Sequence, residues 1–161
     1  MSIPLPNMRG QKVLITGGLG FIGSNLAHKC LELGAKVTIF DYLDPRAGGN
    51  MENIQGIHDS VELSFHDILN FDQVSQVIDN KDILFNCASS TSHSFSMKEP
   101  WIDLDINGKG VINLLESIRR FNPDIKFVHL GTSTQLGKLH YQPSDENHPE
   151  FPRDIYSANK S

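Results

Sequence analysis

The run Lys12–Gly23, KVLITGGLGFIG, constrains the fold of this chain more than any other stretch. Val13, Leu14, Ile15 and Thr16 are apolar or β-branched, the pattern of a strand buried on both faces. Glycines at 17, 18, 20 and 23 follow at once, and a helical pattern begins at Phe21. A helix N-terminus presents unpaired N–H groups and partial positive charge. Glycines let a pyrophosphate approach that backbone closely, so strand, glycine turn and helix predict a dinucleotide site. Two registers fit the spacing, Gly17-x-x-Gly20-x-x-Gly23 and Gly18-x-Gly20-x-x-Gly23.

The same alternation continues along the chain. Ile22, Leu26, Cys30 and Leu33 recur at helical spacing, and Gly34 is a natural stop. A second strand, Lys36 to Phe40, ends at Asp41, which lies 18 residues after Gly23. An acid about 20 residues beyond such a turn accepts hydrogen bonds from ribose hydroxyls. Its charge repels a 2′-phosphate and favours NAD over NADP, although Arg46 nearby leaves NADP open. Residues 44–60 are turn-rich, with a helical piece near Met51–Ile54. Val61–Phe65 reads as a third strand, and Asn70 or Asp72 can cap a helix carrying Phe71, Val74, Val77 and Ile78.

Asp82–Cys87 is a short apolar fourth strand that brings Asn86, Cys87 and Ala88 to the ligand-binding edge of the sheet. Ser89–Ser96 reads as a hydroxyl-rich loop, and His93 within it as a surface histidine, with contact to a substrate as the alternative. A long amphipathic helix from Trp101 to Arg120 carries Ile106, Val111, Leu114, Leu115 and Ile118, interrupted by Asn107, Gly108 and Gly110. Glycine in a helix costs up to about 1 kcal/mol, so a cofactor or another helix is expected to approach there. Ile125–Leu130 is a fifth strand. Strands alternating with helices predict a doubly wound parallel α/β sheet in order 3-2-1-4-5. Residues 1–10 read as a flexible lead-in and 11–161 as one domain.

Composition narrows the function. Fourteen basic and 19 acidic residues leave a formal charge of −5, which argues against nucleic acid or an anionic membrane as main partner. No apolar run approaches the roughly 18 residues that span a bilayer. Cys30 and Cys87 make no disulfide framework, and Cys30 on its helical stripe reads as a core residue, so a reducing cytoplasmic setting is expected. The seven histidines show no paired ligand spacing, so no metal site is expected.

Thr16-Gly17-x-x-Gly20-x-x-Gly23, Asp41, Asp67-Ile68, Asn107, the Thr132/Ser133 cluster and Tyr156-x-x-x-Lys160 occur in one order on the expected elements. Over residues 12–161 the chain resembles the extended short-chain dehydrogenase/reductase family, in its nucleotide-sugar epimerase/dehydratase branch. The resemblance implies a Rossmann sheet and the first of the two glycine registers, with Gly17, Gly20, Phe21, Ile22 and Gly23 at an NAD pyrophosphate. It puts Asp41 at the ribose, Asp67 and Ile68 at the adenine, and Asn86, Cys87 and Ala88 beneath the cofactor. Asn107 would support the site from the long helix.

Tyr156 and Lys160 at i and i+4 share a helix face. An ammonium beside a phenol stabilises phenolate, which suits Tyr156 to act as general base. The resemblance adds a Lys160 contact to the nicotinamide ribose. Counting back from Gly137 puts Thr132 at the family's catalytic hydroxyl position, with Ser133 and Thr134 as alternatives. The family's Tyr-Gly pair is Leu136-Gly137 here. Dehydratases carry Asp-Glu where this chain has Ser133 and Thr134, which argues against dehydration and leaves 4-epimerisation or keto-sugar reduction. A 4,6-dehydratase and a non-catalytic dinucleotide sensor are the rival readings.

The resemblance further implies more strands and a sugar-nucleotide-binding region beyond Ser161. It therefore predicts that residues 153–161 are poorly ordered and that these 161 residues alone are inactive. It also implies a homodimer through the 101–120 helix.

Overall fold

Alternation along β1 (Lys12–Thr16) builds both layers of the molecule, which a computed structural model describes for residues 6–161. Val13 and Ile15 point to one side, into a cluster with Leu19, Ala27, Cys30, Val37, Ile39 and Ile54. Leu14 points to the other, against Phe40, Val74, Ile78, Leu84 and Leu114. Helix α1 (Phe21–Glu32) covers the first face. Helices α2 (Phe71–Ile78) and α5 (Gly110–Phe121) cover the second. A strand buried on both faces is what a doubly wound sheet requires at its centre.

With β2 (Lys36–Asp41), β3 (Val61–Phe65), β4 (Ile83–Asn86) and β5 (Lys126–His129), the sheet has the expected order β3-β2-β1-β4-β5, all parallel. Thr16 pairs with Phe40 on one side and Asn86 on the other. The turns after β1, β2 and β4 therefore open side by side on one edge. Strands β4 and β5 are each one residue shorter at both ends than expected. Asn70, rather than Asp72, caps α2 by accepting from Gln73 N, a contact worth about 1 kcal/mol.

Three segments depart from expectation. Ser92 caps a short helix, α3 (His93–Lys98), inside the stretch read as a loop. The long helix begins as α4 (Pro100–Leu104), widens to a π-helical turn over Asp105–Lys109, and resumes as α5. Gly110 is explained by Ile68: a Cβ there would lie 3.0 Å from Ile68 Cγ2. A hydrophobic side chain from the β3–α2 turn makes the close approach, and Asn113 Nδ2 donates to Ile68 O beside it.

The third departure is α6 (Ile155–Lys160), which is capped by Asp154 and packs on α3 and α4 instead of fraying. Tyr156 N donates to Ser96 Oγ, Asn159 Nδ2 to Asp103 Oδ1 and Ser157 Oγ to Thr134 Oγ1. Of the lead-in, residues 1–5 lie outside the described residues, while Met8 is buried and its N–H donates to Leu33 O. Among the described residues no helix is long and apolar enough to cross a membrane.

Candidate functional site

The glycine turn is shaped by what packs against it. Gly17 has φ +65°, donates its N–H to Phe40 O, and lies so close to the Cys87–Ala88 backbone that a Cβ would sit 2.7 Å from Ala88 N. A Cβ on Gly23 would fall 2.3 Å from Gly17 O. The first turn of α1 thus closes tightly onto the strand end. Gly20 is its N-cap, no side chain caps it, and no acidic residue sits in the first turn. Phe21 and Ile22 are exposed there. An uncapped helix N-terminus of this kind fits a pyrophosphate.

Asp41 Oδ2 accepts from Leu19 N in the turn and Oδ1 from Leu43 N. Those two bonds hold the carboxylate at the turn and leave lone pairs for ribose hydroxyls. Arg46 is held by Asp44, its Nε 2.9 Å from Asp44 Oδ1 and its Nη2 on Oδ2. Asp67 Oδ1 accepts from Leu69 N, which rounds the turn that carries the buried Ile68 toward Gly110.

Beyond β4 the predicted residues divide. Asn86 is fully buried: its Oδ1 accepts from Thr16 Oγ1 at 2.6 Å and its Nδ2 reaches His129 Nδ1 at 3.0 Å. Its side chain therefore braces the strand edge from within the sheet. Burial holds the His129 imidazole below its ordinary value, and the Lys160 charge adds to this, which keeps Nδ1 free to accept from Asn86. Ala88 supplies backbone against Gly17. Burial pushes the Cys87 thiol up to about 11, against a smaller opposite pull from Lys160.

Asn107 sits in the π-helical turn, 2% exposed, and not facing solvent. Its Oδ1 accepts from Ser89 Oγ and its Nδ2 donates to Ser90 O, so the amide fastens the loop after β4 onto the helix.

Helix α6 buries both Tyr156 and Lys160 at this edge. The Tyr156 hydroxyl makes no hydrogen bond among the described residues. Burial pushes the Lys160 ammonium down, offset in part by its attraction to Cys87, once that thiol ionises, and to Asp103. Thr132 caps a short 3-10 turn, Ser133–Leu136, with its hydroxyl toward Thr134 N and 2.9 Å from Thr134 Oγ1. Thr134 Oγ1 in turn receives Ser157 Oγ at 2.8 Å. A line of hydroxyls therefore runs from Thr132 to the residue after Tyr156.

Two groups beside Tyr156 and Lys160 escape a reading of local pattern. His93 stands edge-on to the Tyr156 ring, centroids 4.8 Å apart, with Nδ1 2.9 Å from Asp154 Oδ2. Ser92 as an N-cap was the signal for its helix. Asp103 is fully buried under α6. It shares a helical stripe with Asn107, Gly110, Leu114 and Ser117, all buried, and an acid on such a stripe was the available sign.

The model of the family described as GDP-mannose 4,6 dehydratase matches residues 14–161. A CDP-paratose 2-epimerase of Salmonella typhi is 31% identical over 145 residues, covering 88% of this chain and 42% of that protein. A dTDP-glucose 4,6-dehydratase of Mycobacterium tuberculosis is 28% identical over 156 residues, 94% of this chain and 46% of that protein. Among solved structures, UDP-glucose 4-epimerase of Thermus thermophilus in complex with NAD superposes with a TM-score of 0.81 at 28% identity, covering 93% of this chain and 47% of that one. The chain thus spans about half the length of the relatives it matches.

Proposed function

This chain belongs to the extended short-chain dehydrogenase/reductase family, in the branch described as GDP-mannose 4,6 dehydratase, and we propose that it is the NAD-binding domain of a nucleotide-sugar epimerase or keto-sugar reductase. One observation carries the reading. The Cys87–Ala88 backbone packs against Gly17, and the Lys160 charge acts on Cys87. In this reading the anion-binding turn and the Tyr156–Lys160 pair serve one cofactor.

In this reading Gly17, Gly20, Phe21, Ile22 and Gly23 form the turn at the pyrophosphate, which meets the open N-terminal turn of α1, and Asp41 holds the adenosine ribose. Asp67 and Ile68 border the adenine. NAD supplies a hydride acceptor and donor when bound. Tyr156 Oη takes the proton from a sugar hydroxyl as that carbon is oxidised and returns it on reduction. Lys160 stabilises the phenolate by its charge, and the Thr132 hydroxyl holds the reacting oxygen. Asn86 and Asn107 keep strand edge and loop in place. A full-length protein carrying this chain should convert CDP-, UDP- or dTDP-hexoses to products inverted at a ring carbon. A 4-keto-6-deoxy product would establish the dehydratase reading instead. Ser133 and Thr134 offer no acid for that elimination.

NAD is the cofactor this site favours. Asp41 sets a negative charge where a 2′-phosphate would lie, and Arg46 is engaged by Asp44. Calorimetric titration of the 161-residue chain should give NAD at least about tenfold tighter binding than NADP, a difference of ~1.4 kcal/mol. Asp41→Ala should narrow that gap, and equal or tighter NADP binding to the wild type refutes the assignment.

A homodimer forms, in this reading, through α4 and α5. Trp101, Leu104, Ile112 and Leu115 are exposed at spacings that put them on one helical face. Sedimentation should show a dimer that Ile112→Glu with Leu115→Glu converts to monomer, and an unchanged sedimentation coefficient in the double variant counts against this interface. The free thiols Cys30 and Cys87 fit a reducing cytoplasm.

A further inference from the structure

The buried acid under α6 has a use that the proposed chemistry leaves unassigned. Asp103 is 0% exposed on α4, and its Oδ1 accepts from Asn159 Nδ2 at 2.8 Å. Its Oδ2 is buried with no hydrogen-bond partner among the described residues. The residue after Asn159 is Lys160, 6% exposed, which forms no ion pair among the described residues. Two opposite charges thus lie buried on packed helices, each without its usual neutralising contact. Burial of a charge is tolerated when an opposite charge answers it, and in a dry interior that attraction is strong and poorly screened by salt.

Few titratable groups act on Lys160. Cys87 beyond β4 and Asp103 on α4 influence it, its own charge reaches His129 at the end of β5, and Tyr156 lies one turn back on the same helix. The thiol of Cys87, raised to about 11, is neutral at neutral pH. His129 accepts a hydrogen bond at Nδ1 and is neutral too. Asp103 is the one carboxylate of the set.

We infer that Asp103 is a positioning residue for the Tyr156–Lys160 pair: one oxygen clamps α6 through Asn159, and the other presents the buried counter-charge that holds Lys160 as an ammonium. The inference deepens the proposed role of Lys160 and rests on it. Without that counter-charge, Lys160 loses its proton at lower pH and the phenolate of Tyr156 loses its stabilising neighbour.

The test reads Lys160 directly, by NMR titration of the 161-residue chain carrying 13C at lysine Cε, with the signal assigned through Lys160→Arg. Asp103→Asn keeps an acceptor for Asn159 and removes only the charge, so the Lys160 midpoint should move about one pH unit lower. Asn159→Ala keeps the charge and removes the clamp, so amide exchange across Tyr156–Lys160 should quicken about tenfold while the Lys160 midpoint stays put. In the wild type, the Asp103 carboxyl carbon should show an inflection at the Lys160 midpoint. A folded Asp103→Asn with an unmoved midpoint overturns the inference. Should that variant fail to fold, a wild-type Asp103 signal flat through the Lys160 titration overturns it equally. NAD titration of the same samples keeps the two readings apart, because failed NAD binding speaks against the cofactor site and leaves the Lys160 midpoint as the measure of Asp103.

Discussion

Tyr156→Phe, in a full-length protein carrying this chain, should lower turnover of its nucleotide-sugar substrate by about 10²–10⁴-fold, the usual contribution of a positioned acid–base group. NAD affinity and stability should hardly change. The ring that Phe retains still meets His93 edge-on, and the backbone N–H still donates to Ser96 Oγ. The lost hydroxyl leaves no orphaned partner, since it makes no hydrogen bond among the described residues, and the usual penalty for breaking a buried pair does not apply. A dinucleotide sensor without turnover would lose nothing in this variant. Turnover within about threefold of wild type, measured on the same preparation that binds NAD, removes Tyr156 from the mechanism.

Gly17→Ala should be the most damaging single change to the chain itself. At φ +65° an alanine carries left-handed strain of about 1–2 kcal/mol. Its Cβ would also meet Ala88 N, Ala88 Cα and Cys87 C at 2.7–2.8 Å. Those atoms are backbone and cannot turn aside as a side-chain tip would. Relief requires moving the segment after β4 away from β1, where Cys87 N donates to Thr16 O at 3.0 Å. Together the effects should total about 3–4 kcal/mol and lower Tm by roughly 10 °C. NAD binding should fall below detection by calorimetry. Gly48→Ala is the control: a Cβ there has open space and no positive φ, so its effect should stay within about 0.5 kcal/mol. A Gly17→Ala chain that melts within about 2 °C of wild type contradicts the packing described for the turn.

His93 shows why part of the site could not be read locally. Its own neighbourhood, Ser89–Ser96, is rich in hydroxyls and carries no apolar period, so it reads as a loop. Its partners Asp154 and Tyr156 lie about sixty residues away, on the helix that packs over α3. The expected fraying of 153–161 failed for the same reason. A six-residue helix is unstable by itself, and its position comes from contacts with Ser96, Asp103 and Thr134. Asn86 was placed at the sheet edge, but its bonds to Thr16 and His129 join strands far apart in the chain and could not be read locally.

By itself the sequence determined the alternation of strands and helices, the parallel order 3-2-1-4-5, the glycine turn and Asp41 at its offset. These follow from short-range rules: period-two and period-3.6 burial, turns that only glycine can make, and right-handed crossovers between parallel strands. Tertiary structure alone decided that Ile68 fills the notch at Gly110, that Asn107 and the π-helical turn hold the loop after β4, and that His93 and Asp103 gather around α6. Those placements depend on which surfaces meet after the sheet has formed. Contacts between residues tens of positions apart leave no period in the chain, and their stability comes from burial that exists only once the elements are packed.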